Sequence, residues 1–356
     1  MLLANKSIVV TGGTGSLGKL LVRRILSGEL GTPKRVIVFS RDEGKQHDMR
    51  LAYLHKTVTT DEVIYNNFLN TLQFCIGDVR DYASVCGILK HADIVIHAAA
   101  LKQVPVCEYF PEQALFTNCQ GAVNIVRALR EFAYPVETVV GISTDKAAKP
   151  INVMGMTKAL QERILIAANV LNPKTRFICV RYGNVLASRG SVIPMFHEQI
   201  KHGGPLTITV PNMSRFLLSI NQAVDTIFAA LRNAHAGEIY VPNAPSAEII
   251  NIAKALIDDR HIDIKFIGIR PGEKMHEIMI SEEERHYTEK RGNYYAILSM
   301  LPELHGHRKS TMLSLNKEFS SADNVLNLAD TKRLLAEHKL LLHKKVTLAE
   351  GEELLV

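Results

Sequence analysis

A doubly wound α/β fold built on a parallel sheet, with a smaller C-terminal lobe, is predicted from three observations. An apolar β-branched run, Ile8, Val9 and Val10, ends in a glycine cluster, Gly12, Gly13, Gly15 and Gly18, with a helical pattern behind it. Further apolar runs follow, alternating with helical patterns, which is the rhythm of a parallel sheet. Beyond residue 187 that rhythm loosens into loop-rich segments. Residues 1–186 are therefore assigned to the sheet domain, and 187–356 to a lobe folded partly back against it.

The elements can be justified in order. Gly12 allows a tight turn out of the first strand, Gly15 lets backbone approach a pyrophosphate, and Gly18 lets helix and strand pack closely. With Thr14, Ser16 and Leu17 they form a loop opening on a helix N-terminus, where an anion is favoured, as in a Rossmann-type dinucleotide site. RVIVFS (35–40) reads as the second strand and ends in Ser40, Arg41 and Asp42, with Lys45 close behind. A carboxylate there favours a free 2′-hydroxyl and an arginine a 2′-phosphate, so Arg41 favours NADP over NAD while Asp42 competes.

Residues 43–71 form a polar helical excursion with a threonine patch, Thr57, Thr59 and Thr60. Strand three lies in 72–81, with Asp78 and Val79 placed to meet adenine. Strand four lies in 92–105, where Ala98, Ala99 and Ala100 leave room for a cofactor or simply pack tightly. A helix from Pro111 past Asn118 to Arg130 reads mostly as core. Strand five (137–148) runs into the polar corner Ser143-Thr144-Asp145-Lys146, and a helix over 153–170 carries Met154 and Lys158. Strand six (176–186) brings Tyr182, Asn184 and Val185. The stretch ADNVLNLADTKRLLAEHKLLLHKK reads as one closing amphipathic helix.

Composition narrows the function classes. With 47% hydrophobic and 22% charged residues in 356, disorder is not expected. The net charge of +6 is spread along the chain, as a solvated face or as attraction for a polyanionic ligand. No basic run is interleaved with aromatics, so a nucleic-acid partner is not expected. Five cysteines, an odd number without zinc spacing, read as free thiols in a reducing compartment. The 14 histidines lack metal-ligand spacing, and no apolar run reaches membrane-spanning length, so a cytoplasmic protein without a metal is expected.

TGGTGSLG, FSRDE, GDVRD, HAAALKQVP, TNCQGAVN, STDKAAKPIN, RYGNVLASRGSVIP, LTIT, MSRFL and RPGEK occur in that order over nearly the whole chain. The set resembles the polysaccharide-biosynthesis branch of the extended short-chain dehydrogenase/reductases. Within it the chain is most similar to the inverting UDP-N-acetylglucosamine 4,6-dehydratase/5-epimerases that begin UDP-N-acetyl-L-fucosamine synthesis for capsule and O-antigen. The resemblance implies NADP, a UDP-sugar substrate and a homo-oligomer, either dimer or hexamer. It also implies that Lys102, Asn118, Ser143, Lys158, Tyr182, Asn184 and Val185 join the glycine loop in holding cofactor. Asn184, Arg189, Ser191, Arg215, Arg270 and Glu273 match UDP-sugar contacts, with Lys102 and Lys146 at the sugar. Arginine suits a diphosphate and glutamate a ribose hydroxyl.

One departure stands out. Most of the superfamily has Tyr-x-x-x-Lys on the helix after strand five, and this chain has Met154 and Lys158 there, one helical turn apart. A thioether cannot take a proton. The dehydratase/5-epimerases share this Met-x-x-x-Lys pattern, and the resemblance implies three steps: oxidation at C4, loss of the C5 proton with the C6 hydroxyl, and hydride return to C6 with C5 reprotonated from the other face. Lys146 is the candidate C5 base, because a desolvated lysine can titrate low. Asp145 would deliver a proton to the departing hydroxyl if its pKa is raised, and Thr144 would hydrogen-bond the C4 oxygen. Cys107 and Glu108 would be a further proton donor or acceptor, or else a buried thiol and a structural carboxylate. A UDP-hexose 4-epimerase and a non-catalytic nucleotide-binding scaffold are the competing readings.

Overall fold

The computed structural model describes residues 1–54, 62–186, 191–304 and 315–342. The first half runs β1 (Ser7–Thr11), α1 (Ser16–Leu26), β2 (Arg35–Ser40), α2 (Glu43–Leu54), α3 (Glu62–Thr71), β3 (Leu72–Ile76), α4 (Tyr82–Leu89) and β4 (Ile94–His97). It continues with α5 (Val104–Tyr109), α6 (Pro111–Ala114), a π-helical turn (Leu115–Gln120), α7 (Gly121–Phe132), β5 (Thr138–Thr144), a 3-10 turn (Asp145–Ala147), α8 (Val153–Leu171) and β6 (Arg176–Tyr182). The second half comprises α9 (Val192–Lys201), β7 (Leu206–Ile208), β8 (Ser214–Phe216), α10 (Ile220–Asn233), β9 (Ile239–Pro242), β10 (Ser246–Glu248) and α11 (Ile249–Ile257). Then come β11 (Ile264–Phe266), β12 (Ile278–Ile280), β13 (Thr288–Arg291), β14 (Tyr294–Ile297), β15 (Phe319–Ser320), β16 (Val325–Leu326) and α12 (Leu328–Glu337).

The predicted doubly wound sheet is present, in the order β13-β14-β9-β6-β5-β4-β1-β2-β3. From β9 to β3 every neighbour is parallel, and β14 and β13 close one edge antiparallel. Helices cover both faces, which is why β1, β4 and β5 are continuous apolar runs rather than alternating ones. Chain direction around the sheet reverses beside β1, whose Val10 pairs with Val38 on one side and Ile96 on the other. Ligands bind such sheets in the crevice at that reversal, beyond the carboxyl ends of the strands.

The sheet takes three of its strands, β9, β13 and β14, from beyond residue 187. Helix α10 joins them: a Ser219–Gln222 capping box starts it, and Ala223, Val224, Ile227, Phe228 and Leu231 pack into the sheet's core. The larger of these, Val224, Ile227, Phe228 and Leu231, each stabilise by about 1.5–3 kcal/mol when fully buried. Met279 and Ile280 on β12 and Phe319 on β15 also pack into the sheet's core, and other segments build a separate core around Ile193, Phe196, Leu206, Leu217, Ile252 and Leu256, with the small sheet β16-β10-β8 beside it.

Some boundaries differ from expectation. Strand four stops at His97, because the chain leaves the sheet after Thr11 Oγ1 accepts the Ala99 N–H and Pro105 opens α5. The expected helix from Pro111 to Arg130 is interrupted by the π-helical turn. The closing helix is only Leu328–Glu337: the Asn327 side chain caps it by accepting the Asp330 N–H, and Lys339 at φ 56° ends it. Leu335 buries it against the lobe core. The excursion 43–71 does supply α2 and α3, pinned by stacking of Tyr53 on Phe68, while Thr57, Thr59 and Thr60 lie outside the described residues.

Candidate active site

The glycine loop after β1 forms the floor of the crevice. Gly12 has φ +67° and a Cβ there would stand 2.8 Å from Ala99 backbone, while a Cβ on Gly18 would stand 2.5 Å from Gly13. Gly15 is different: it is exposed, and a Cβ would meet only the Gly12 carbonyl at 3.3 Å. That leaves the face of Gly15 and the uncapped N-terminus of α1, with Ser16 and Leu17 part-exposed, turned to the crevice. Thr14 is buried behind them. Ala98, Ala99 and Ala100 line the opposite wall, all part-exposed. At the end of β5 the buried Ser143 Oγ has no hydrogen-bond partner within the protein. A backbone cradle on a helix N-terminus, small walls and an orphaned hydroxyl fit a nicotinamide dinucleotide.

At the β2 end, Arg41 is half-exposed and lies 3.6 Å from Asp78. Lys45 is tied to Asp42 at 2.5 Å, and Ser40 Oγ accepts a hydrogen bond from Gln46. Burial pushes Asp78 up, but hydrogen bonds from Arg80 and the charges of Arg80 and Arg41 hold it below the usual carboxylate range. Val79 keeps its side chain in the core against Gly121.

The candidate catalytic corner follows β5. Thr144 Oγ1 donates to Asp145 Oδ1 at 2.8 Å, and Lys146 Nζ donates to the same oxygen at 3.0 Å and to Asn184 Oδ1 at 3.1 Å. Asp145 is fully buried, and its Oδ2 has no partner. Burial, with a smaller contribution from Glu277, raises its pKa against the opposing pull of Lys146. That is the condition required of a proton donor. Lys146 departs from expectation: burial pushes it down, but Asp145 and Glu277 outweigh burial and raise it. In this arrangement it is an ammonium, not a ready base.

Glu277 escaped the sequence reading. It sits just before β12, is 2% exposed, and reaches Lys146 Nζ at 3.2 Å and Arg215 Nε at 3.9 Å. The one signal was indirect: a lysine desolvated beside a strand end needs more than one counter-charge. Arg215 is itself buried, donating to the carbonyls of Ser214 and Met275. Ser191 Oγ and Glu273 Oε2 are buried atoms without partners, Arg270 is exposed, and Arg189 lies outside the described residues.

Several expected site residues are committed elsewhere. Asn118, fully buried, accepts the Leu101 N–H and donates to the Leu101 carbonyl and Thr157 Oγ1, so it ties the loop after β4 to α8. Lys158 Nζ is turned into the protein, onto the Ile142 carbonyl and Gln161, and burial lowers its pKa to about 8. Met154 packs with Cys107 and Ala114 in a small apolar cluster. The Cys107 thiol, pushed up to about 11 by burial and then by Glu108, is a buried thiol, and Glu108 accepts the Val153 N–H at 2.7 Å. Tyr182 belongs to the sheet core and burial raises its phenol. Val185 bridges to Leu218, and Lys102 lies on the exposed loop after β4. Among the described residues no His, Cys, Asp and Glu cluster could hold a metal ion, and no helix is long and apolar enough to cross a membrane.

Comparison with known proteins fits this geometry. A UDP-glucose 4-epimerase of Rickettsia bellii is 43% identical over 344 residues, covering 93% of this chain and 95% of the relative. The X-ray structure of Pen from Bacillus thuringiensis matches at TM-score 0.84 and 31% identity, over 96% of this chain and all of that one. DesIV, a dTDP-glucose 4,6-dehydratase from Streptomyces venezuelae solved with NAD and TYD bound, shares the fold at TM-score 0.63 and 19% identity, over 94% and 98% of the two chains. Residues 8–299 match the family model described as polysaccharide biosynthesis protein. The chain therefore belongs to the polysaccharide biosynthesis protein family, nucleotide-sugar epimerases and dehydratases of the extended short-chain dehydrogenase/reductase type.

Proposed function

We propose that the chain is an NADP-dependent UDP-N-acetylglucosamine 4,6-dehydratase that inverts C5, acting in the cytoplasm in nucleotide-sugar synthesis for capsule or O-antigen. One observation carries this reading. The proton-transfer groups at the end of β5 are Asp145 and Lys146, in contact with each other, while the position of the usual tyrosine holds Met154. An epimerase needs one acid–base group at C4; a dehydratase needs a base at C5 and an acid at C6 as well.

A bound nicotinamide dinucleotide supplies the hydride acceptor and donor. The chain's residues do the rest. Thr144 hydrogen-bonds the C4 oxygen. Lys146 passes its proton to the Asp145 carboxylate, 3.0 Å away, and as a neutral amine takes the C5 proton, while Asp145, whose pKa burial raises, gives the proton it received to the C6 hydroxyl, which leaves as water. Arg215, Arg270 and Glu273 hold the nucleotide, and the orphaned Ser191 Oγ and Glu273 Oε2 are available to its hydroxyls. Arg41 would meet a 2′-phosphate, with Asp42 occupied by Lys45. The exposed apolar residues Tyr109, Phe110, Phe116, Met156 and Leu160, on and around α5 and α8, support a homo-oligomer formed through these helices.

A second reading, UDP-hexose 4-epimerase, is favoured by the name of the Rickettsia relative. Proton NMR of UDP-N-acetylglucosamine with protein and NADP+ in deuterated water separates them. The expected product carries a C6 methyl group and solvent deuterium at C5, with no net NADPH formed. A galacto-configured product without deuterium would replace this reading with the epimerase.

A further inference from the structure

A buried ammonium is stable only among counter-charges, and Lys146 draws them from two bodies of packing. From the sheet side it meets Asp145 Oδ1 at 3.0 Å and Asn184 Oδ1 at 3.1 Å. From the lobe side it meets Glu277 Oε1 at 3.2 Å, and the cations nearest Glu277 are Arg215, at 3.9 Å, and Lys274. Lys274 Nζ is spent on the Ala148 carbonyl at 2.6 Å. Two carboxylates thus face one central ammonium. Each keeps one buried oxygen without a partner, Asp145 Oδ2 and Glu277 Oε2. Glu277 is itself fixed, because Ser321 Oγ accepts its backbone N–H at 2.9 Å and Ser214 Oγ stands 2.8 Å from Ser321 Oγ.

We propose that Glu277 is a positioning residue of the reaction: from the lobe it holds Lys146 against Asp145 and sets the pH at which that pair exchanges protons. The proposal rests on the reading of Lys146 and Asp145 as the acid–base pair. The sign follows from charge. The Glu277 carboxylate favours the ammonium of Lys146 and disfavours a second anion at Asp145, so it raises both pKa values. Removing that charge lowers both. Such couplings between close buried groups shift titrations by about 1–3 pH units. A residue from the second half of the chain thus tunes the chemistry at the end of β5.

The test is Glu277→Gln beside Glu277→Asp, with two readouts. The first needs no turnover: acylation of Lys146 by acetic anhydride across pH, read by peptide mass spectrometry, since only the neutral amine reacts. In Glu277→Gln the midpoint falls by about 1–3 pH units, and in Glu277→Asp, which keeps the charge, it falls much less. The second is the pH–rate profile, both limbs of which move to lower pH in Glu277→Gln. An unmoved midpoint in Glu277→Gln, or an equal fall in both variants, overturns the proposal. Should Glu277→Gln fail to fold, the wild-type titration decides: a Lys146 midpoint at or below the ordinary lysine value overturns it. A shifted midpoint in a protein that turns over no UDP-hexose would sink the proposed function and, with no reaction left to position, this inference with it. Turnover with an unmoved midpoint would overturn this inference and leave the proposed function standing.

Discussion

Two buried charge clusters join the second half of the chain to the sheet, and they are built to opposite specifications. In one, Arg181 on β6 lies between Glu162 on α8 and Glu284, bidentate to both at 2.7–3.0 Å, with a fifth bond to the Met279 carbonyl. Every oxygen is paired, and the arginine is 1% exposed. In the other, Lys146 lies between Asp145 and Glu277, two carboxylate oxygens are unpaired, and the lysine side chain is 17% exposed. Both put one cation between two acids. A rigid planar fork that satisfies its partners fixes a structure; a flexible point charge that leaves them unsatisfied can still exchange protons. The first cluster is built as a pin, and the second is the one proposed as the working site.

Replacing Lys146 tests the second half of that contrast and should have the largest effect. Lys146→Met is expected to lower turnover by about 10²–10⁴-fold, the usual contribution of a positioned acid or base. Stability should change by no more than about 1 kcal/mol, because Asp145 and Glu277 can then share a proton. Chemical denaturation beside steady-state kinetics reads both. A collapse in stability with Lys146→Met would make the working site a pin too.

Arg181→Met tests the first half. Removing one partner from a buried triad leaves uncompensated charge and is expected to cost about 3–5 kcal/mol in chemical denaturation. Replacing Arg181, Glu162 and Glu284 together by apolar residues of similar volume should recover most of that loss. If the triple variant is no better than the single one, the cluster contributes more than charge balance.

The contrast also explains what the sequence could and could not disclose. Asp145 and Lys146 were legible because they are adjacent and end a strand, and the glycine loop because its spacing is local. Glu277 was not, since it reaches Lys146 only after the lobe folds back on the sheet. The same holds for Arg181, whose position on β6 says nothing of the acids waiting on α8 and before β13. The bonds of Asn118 were not legible, because a helix position does not disclose which neighbour a carboxamide will bond, and its partners, Leu101 and Thr157, come from different elements. The titration of Lys146 was read with the wrong sign, because desolvation is visible in a sequence and the number of counter-charges is not. The starts of the central strands β2 to β6 were read to within two residues, their apolar runs being set by burial on both faces, although the expected ends of β3 to β6 ran past the observed ones, whereas β9, β13 and β14 are short runs in a loop-rich region.

The glycine loop repeats the contrast on a smaller scale. Gly18→Ala forces a Cβ to 2.5 Å from Gly13 backbone and is expected to cost about 1–3 kcal/mol of stability, as overpacking does. Gly15→Ala meets only one atom, at 3.3 Å, so thermal stability should hold. Its dinucleotide affinity, by fluorescence titration, should fall by about tenfold or more, equivalent to some 1.4 kcal/mol. One glycine is a pin and the other belongs to the site. Equal loss of stability in both variants would erase that distinction.

Arg41 offers the smallest and most selective test. Its guanidinium is half-exposed and shares Asp78 with Arg80, so solvent and salt screen most of its field. Arg41→Ala should therefore weaken NADP+ binding by only about three- to tenfold, below the roughly 1.5–3 kcal/mol of a hydrogen bond to a charged group because of that screening, and leave NAD+ binding unchanged. Raising the salt concentration should shrink the difference between the two cofactors in the wild type and do little in the variant. If Arg41→Ala weakens NAD+ as much as NADP+, the arginine acts through Asp78, holding the carboxylate beside adenine. Arg41 would then be one more pin rather than a reader of the 2′-phosphate.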